Sequence, residues 1–109
     1  MAVFTIARYE IRPEACADAE RAMHELAAYV RKELPASSWV TYRDRRAPTR
    51  YVSLIRSDNP AAGDRQRKAA GTRAFEAALH PLVTGEIELT DYELITSSDL
   101  QRRHRARRA

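Results

Sequence analysis

Four side chains in this sequence are suited to acid–base or electrostatic chemistry on an aromatic molecule. His24 and His80 are candidate general bases, because imidazole is the side chain that titrates near neutral pH without perturbation. Arg56 stands among apolar neighbours, where a guanidinium can stabilise a phenolate or an enolate. Trp39 is the only tryptophan, and it can offer a flat ligand either a ring wall or an indole N–H donor.

The histidines and the tryptophan also have structural interpretations, which stay open at this point. A large aromatic residue most often packs in a core or at an interface. His24 falls one residue beside an apolar helical stripe, which favours a solvated position. His80 precedes a proline at a helix end, where a cation suits the helix dipole.

The arginines within strands have a structural interpretation as well. Arg8 and Arg56 lie beside apolar residues, so each charge must be paired or must face a polar cavity. We expect ion pairs with Glu10 or Glu88 as the simplest solution.

Other aromatic residues can line a pocket with Trp39 or fill an ordinary core. Tyr9, Tyr29 and Phe75 are the candidates for the substrate pocket. Cys16 lies on or near the helical stripe, and we expect it to behave as a small buried hydrophobe.

Several kinds of site and location are not expected. The three glycines are widely separated, so there is no glycine-rich phosphate loop, and no His/Cys spacing suits a metal. We therefore expect neither a metal nor a cofactor. One cysteine cannot form an internal disulfide, no apolar run approaches the roughly 20 residues of a membrane span, and no secretory leader is visible. These features favour the cytoplasm.

The net charge of +4 comes from the C-terminal end of the chain. Residues 1–98 hold equal numbers of basic and acidic side chains, whereas residues 99–109 hold five arginines and one aspartate. We predict one domain over residues 1–98 and a disordered basic tail over residues 99–109. Nucleic-acid binding through this tail is the least favoured function, because the neutral body carries no recognition motif.

Apolar patterning predicts two helices and four strands. Ala19, Met23, Leu26 and Val30 form one apolar stripe on the first helix. The second helix has Asp58 or Asn59 as its cap, and Gly71 weakens its middle, so we expect a break near residues 69–72. The predicted strands are 2–12, 38–45, 50–57 and 86–96, and the predicted helices are 14–34 and 60–80.

The order β-α-β-β-α-β predicts a ferredoxin-like α+β fold, with a four-stranded antiparallel sheet and both helices on one face. Alternation places Phe4 and Ile6 on one face of the first strand, and Ala7, Tyr9 and Ile11 on the other. Both faces are therefore apolar, while helices can cover only one of them. A face-to-face homodimer is the simplest way to cover the other.

Four segments of the chain carry a likeness to a known family: ARYEIRPE (7–14), Pro48-Thr49-Arg50-Tyr51, AFEAALHPLV (74–83) and Asp91-Tyr92-Glu93-Leu94. In this order they resemble the antibiotic biosynthesis monooxygenase superfamily, the dimeric α+β barrels that include small quinol monooxygenases. The likeness covers about residues 2–97 and implies a dimer with a pocket between sheet and helices. Members oxidise quinols and anthrones with oxygen and no cofactor, degrade haem, or have no known activity.

Some family features are missing from this sequence. Many members carry Glu-x-Trp at the end of the third strand and a histidine about nine residues later. Those positions align here with Ile55, Ser57 and Gln66, so none of the three is retained. The haem-degrading branch also uses an asparagine, and the only asparagine here is Asn59, in a loop.

Two hypotheses of function follow. The resemblance implies a cofactor-free monooxygenase that oxidises a hydroquinone, an anthrone or a polyketide intermediate with O2. The missing tryptophan and histidine favour the alternative, a non-catalytic dimeric module that binds a small ligand or has a regulatory role. Convergent polar groups around a cavity would favour the enzyme, and a pocket filled by aromatic side chains would favour the module.

Overall fold

The computed structural model describes residues 1–100, in which four strands and three helices follow one another as β-α-β-β-α-α-β. Short 3-10 turns at Pro13–Ala15 and His80–Leu82 lead into α1 and β4. Most of the predicted tail, residues 101–109, lies outside the described residues. The strands are β1 (Val3–Ile11), β2 (Ser37–Arg43), β3 (Arg50–Ser57) and β4 (Val83–Tyr92), and the helices are α1 (Cys16–Glu33), α2 (Pro60–Lys68) and α3 (Ala70–Leu79).

The four strands form one sheet in the order β2-β3-β1-β4, and every neighbouring pair is antiparallel. The predicted ferredoxin-like α+β fold is confirmed. Strands β2 and β4 are the two edges of the sheet. Within residues 1–100, no helix has the length and apolar content that crossing a bilayer requires.

Strand alternation separates a helix-covered face from a helix-free face, as predicted. Ala7, Tyr9 and Ile11 point toward the helices and are buried, while Phe4 and Ile6 point the other way and remain half-buried. The stripe of α1 completes the core, and all four of its predicted members are buried. These are Ala19, Met23, Leu26 and Val30.

The second helical segment is divided, also as predicted, but glycine is not at the dividing position. Ala69 has an extended ψ of 145° between α2 and α3, and Asn59 Oδ1 accepts the Ala62 N–H at 2.8 Å to cap α2. Gly71 lies within the first turn of α3. A Cβ there would lie 2.3 Å from the Tyr29 ring, so glycine allows α3 to pack closely on α1.

The last strand begins and ends earlier than the predicted 86–96. It starts at Val83 because a β-bulge accommodates Gly85, a residue type that often interrupts a strand. The bulge lies opposite the interval between Arg8 and Glu10 of β1. Gly85 adopts a φ of +79°, which glycine tolerates and other residues rarely do. The strand ends at Tyr92, whose partner Phe4 stands near the start of β1.

Candidate active site

A groove with a volume of 360 Å³ runs between α1 and the edge strand β2. Glu20 and His24 reach it from α1, Trp39 and Arg43 from β2, and Tyr51 from β3. Three elements therefore bring aromatic, acidic, basic and titratable side chains to one place. This is the convergence that a catalytic groove needs.

Local geometry explains why these side chains meet. Glu20 and His24 are four residues apart on α1, so they share one helix face. Trp39 and Arg43 are four positions apart on β2, so both side chains point to the same face of the sheet, toward the helices. Tyr51 stands directly opposite Arg43 in the β2–β3 register.

Glu20 is the centre of the polar network in the groove. Arg43 Nη2 donates to both of its carboxylate oxygens, at 2.7 and 2.6 Å, and the Tyr51 hydroxyl donates to Oε2 at 2.7 Å. The hydrogen bond from Arg43, followed by that from Tyr51, lowers the pKa of Glu20. The carboxylate is therefore ionised at neutral pH.

Tyr51 stays protonated in this environment. Burial is the main cause that raises the pKa of the Tyr51 phenol, and the hydrogen bond to Glu20 raises it further. The hydroxyl is consequently a fixed donor.

His24 presents an exposed imidazole at one side of the groove. Neither ring nitrogen has a hydrogen-bond partner among residues 1–100, whereas Glu20, one turn earlier, is fully engaged. An imidazole that has no hydrogen bond to another of residues 1–100, and that has the Glu20 carboxylate as an electrostatic neighbour, can accept a proton from a bound hydroxyl group.

Trp39 forms the aromatic wall. It lies on the helix-covered side of the sheet, which the sequence left undecided, and it is half-buried. Phe75 of α3 meets its ring edge to face, with ring centroids 5.6 Å apart and planes at 68°. Two of the predicted pocket aromatics are thus neighbours, with Phe75 supporting the ring that lines the groove.

Tyr9 packs in the core beside the groove. Its ring stacks on Tyr51, with centroids 6.1 Å apart, and its hydroxyl lies 2.9 Å from Ser53 Oγ. Ser53 donates its single hydroxyl hydrogen to Thr41 at 3.0 Å, so Tyr9 must be the donor to Ser53. This chain of hydrogen bonds satisfies the polar groups beneath the groove.

The other predicted site residues lie apart from the groove. Tyr29 packs against Gly71 between α1 and α3, and His80 is exposed at the end of α3. Arg56 lies on the helix-free face, where its Nη1 donates to Asp58 at 2.7 Å. Cys16, expected to be buried, is half-buried, and its thiol lies 3.7 Å from the Arg12 carbonyl.

The ion pairs predicted for the strand arginines are wrong. Arg56 pairs with Asp58, because Glu10 stands opposite Arg50 at the other end of β3. Arg8 does stand opposite Glu88 in register, yet no carboxylate of residues 1–100 lies within 4.0 Å of its guanidinium.

Glu20 and Arg43 are the functional candidates that sequence reasoning missed. Their contact joins a helix to an edge strand 23 residues away, which no local pattern encodes. The usable signal was the Glu20–His24 spacing on one helix face, combined with an arginine at the end of a predicted strand.

Ser57 and Gln66, which stand where the resembled family carries tryptophan and histidine, are buried and do not line the groove. Ser57 is buried and shares a hydrogen bond of 2.7 Å with Ser37. Gln66 is also buried, and its Nε2 donates to Thr72 at 3.3 Å. Within residues 1–100, moreover, no group of three or more His, Cys, Asp or Glu side chains could hold a metal ion.

Comparison with known proteins places this architecture. No family model and no curated protein matches the sequence. Among solved structures, Rv0793 from Mycobacterium tuberculosis superposes with a TM-score of 0.81 at 19% identity, over 90% of this chain and 99% of that one. A candidate antibiotic biosynthesis monooxygenase from Caulobacter crescentus also superposes with a TM-score of 0.81 at 19% identity, over 87% and 91%.

A third solved structure is a variant of SnoaB, a cofactor-independent oxygenase from Streptomyces nogalater. It matches with a TM-score of 0.76 at 20% identity, over 89% of this chain and 96% of that one. This chain has the fold of the antibiotic biosynthesis monooxygenases. At these identities the antibiotic biosynthesis monooxygenase fold is what the comparison establishes, and the reaction has to be argued from the groove.

Proposed function

We propose that this chain is a cofactor-independent monooxygenase that uses O2 to oxidise an electron-rich aromatic, such as a hydroquinone, an anthrone or a polyketide intermediate. The observation that carries the proposal is the groove itself. The His24 imidazole, which has no hydrogen bond to another of residues 1–100, stands beside the fixed Glu20–Arg43 ion pair and opposite the aromatic wall of Trp39. SnoaB, which shares the fold, is described as a cofactor-independent oxygenase.

The chemistry asks the protein for proton transfer, orientation and partial desolvation. His24 takes a proton from the bound substrate and leaves an electron-rich anion. The anion transfers one electron to O2, and the resulting radical and superoxide combine into a peroxide anion. The protonated His24 returns its proton to this anion, and the hydroperoxide so formed then loses water. For an anthrone, the methylene becomes a carbonyl. One oxygen atom enters the product and the other leaves as water, so the substrate supplies all four electrons.

The proposed assembly is a homodimer joined through the helix-free face. Ile6, Leu54 and Val40 form an apolar row across three strands of that face. A larger concavity of 870 Å³ lies on the same side, beside charged residues such as Arg8 and Glu88. We assign this concavity to the dimer interface and keep the substrate in the groove.

Oxygen consumption by the metal-free protein, with a panel of hydroquinones and anthrones, tests the proposal. We expect His24→Gln to lower kcat about 100-fold or more, the usual contribution of a general base. Trp39→Phe should mainly raise KM. His80→Gln is the matched control: it removes the other histidine of the domain, which lies outside the groove, and should keep the wild-type rate.

Two results would contradict the proposal. If no substrate gives oxygen uptake above the protein-free rate, the proposed monooxygenase activity is overturned. If His24→Gln and Trp39→Phe are folded and consume oxygen at the wild-type rate, the groove is not the substrate site.

A second candidate function is a non-catalytic binding module. It is favoured by the space beneath the helices, which Tyr9, Tyr51 and Phe75 fill, and by the closed positions of Ser57 and Gln66. Saturable quenching of Trp39 fluorescence by an aromatic ligand, without oxygen uptake, would identify this function.

A further inference from the structure

We infer that the groove selects an aromatic ligand carrying a carboxylate, with Arg43 as the partner of that anion. This inference rests on the proposal that the groove is the substrate site, and it adds the chemical class of the substrate.

Arg43 is held in place yet keeps surface for a ligand. Glu20 engages its Nη2 atom through both carboxylate oxygens, while 52% of the Arg43 side chain stays exposed beside the groove. A guanidinium fixed by one carboxylate is preorganised to donate its remaining N–H groups to a second one.

The charges around Arg43 favour an anion. Glu20 is the only carboxylate that lines the groove, and Arg43 and Tyr51 already occupy it. No other acidic side chain of residues 1–100 lines the groove, whereas the larger concavity that Arg43 also borders is lined by Glu10, Asp44, Glu86 and Glu88. A carboxylate bound on the groove side of Arg43 therefore meets no unpaired negative charge.

The β2–β3 turn next to Arg43 adds positive charge. Arg45, Arg46 and Arg50 have no carboxylate of residues 1–100 within 4.0 Å, unlike Arg43 itself. Asp44 is directed into the turn, where it accepts the Arg46 and Ala47 N–H groups at 2.8 and 3.3 Å. The turn and the first residue of β3 thus carry three cations that no carboxylate of residues 1–100 pairs, and their field reaches a ligand across about one Debye length of 8–10 Å.

Binding of two redox-inert probes tests the inference. We would titrate the full chain with a hydroxynaphthoate and with the matching hydroxynaphthamide, under argon, by calorimetry and by Trp39 fluorescence. The two probes share ring, hydroxyl group and size, and they differ in charge. We expect the carboxylate to bind about tenfold more tightly, with an affinity that falls as salt is added.

Variants separate charge recognition from a structural role. Arg43→Gln should remove most of the carboxylate preference and leave hydroxynaphthamide binding unchanged. Glu20→Gln should preserve or strengthen carboxylate binding, because the glutamine oxygen can still accept from Arg43 while the groove loses its negative charge. Arg21→Gln is the matched control, since Arg21 lies on α1 outside the groove, paired with Asp18, and it should change neither affinity.

The outcomes distinguish this inference from the proposed function. Equal affinities for both probes, binding of neither probe, or an equal loss of both in Arg43→Gln would overturn it, even in an active oxygenase. A tenfold carboxylate preference that depends on Arg43 would uphold it, even if the protein consumed no oxygen.

Discussion

At the scale of single residues, the Tyr51 hydroxyl joins the core to the groove. It is buried and donates to an ionised carboxylate, Glu20, at 2.7 Å. We expect Tyr51→Phe to lower the free energy of unfolding by about 1.5–3 kcal/mol, the usual net value of a hydrogen bond to a charged group. Urea denaturation measures the change. Tyr42→Phe is the matched control, because the Tyr42 side chain is exposed, and a loss of the same size there would contradict the assignment.

The same contact makes two predictions about pH. The pKa of Glu20 is lowered in the folded chain, so its contribution to stability is present above the ordinary value of 4.5 and is lost as the pH falls below it. The pKa of Tyr51 is raised, so its contribution is present below 10.0 and is lost as the pH rises further.

Urea midpoints measured across pH check both directions. Relative to wild type, Glu20→Gln should flatten the acid limb, and Tyr51→Phe should flatten the alkaline limb. Parallel curves for all three proteins would show that neither group titrates with unfolding.

Gly71 sets the distance between two helices. Alanine is the better helix former by about 1 kcal/mol, but its Cβ would lie 2.3 Å from the Tyr29 ring. Overpacking of this kind costs about 1–3 kcal/mol, which the helix preference of alanine offsets in part, so we expect Gly71→Ala to destabilise the fold by up to about 2 kcal/mol in urea denaturation.

A double-mutant cycle isolates this clash. In a Tyr29→Leu background the ring is gone, and Gly71→Ala should become neutral or stabilising. An equal loss in both backgrounds would mean that contact with Tyr29 is not the cause.

At the scale of elements, the bulge of β4 depends on backbone conformation alone. Gly85 has a φ of +79°, and no atom lies within 4 Å of a Cβ built there. We expect Gly85→Ala to cost about 1 kcal/mol, and Gly85→Asn to cost less, because asparagine tolerates this region better. Thermal unfolding of both variants tests the ranking. If Gly85→Ala destabilises the protein no more than Gly85→Asn does, the positive φ of Gly85 is not the cause of the loss.

The same elements show how much of the fold and of the site can be predicted from the sequence. Period and capping predicted β3, the Asn59 cap and the buried stripe of α1, because each depends on neighbours within one turn or one strand. The bulge at Gly85, the contact of Gly71 with Tyr29 and the Glu20–Arg43 pair join separate elements. Their partners become known only when the sheet and helices are assembled, which is why β4 was misplaced and half of the site was missed.

At the scale of the whole molecule, no helix of residues 1–100 covers one face of the sheet. The row formed by Ile6, Leu54 and Val40 lies in register across three strands, and Val40 is 38% exposed. Burial of such a row between two copies would stabilise the dimer by about 25 cal/mol per Å² of apolar surface that leaves water. The wild-type protein should therefore sediment at twice the mass of one chain.

Leu54→Glu tests this assembly, because it places a charge in the middle of the row, and a two-fold interface receives that charge from both copies. We expect it to shift the sedimenting species to a monomer at micromolar concentration. Ala28→Glu, on an exposed part of α1, is the control and should stay dimeric. If wild type and Leu54→Glu have the same mass, the second copy does not cover this face.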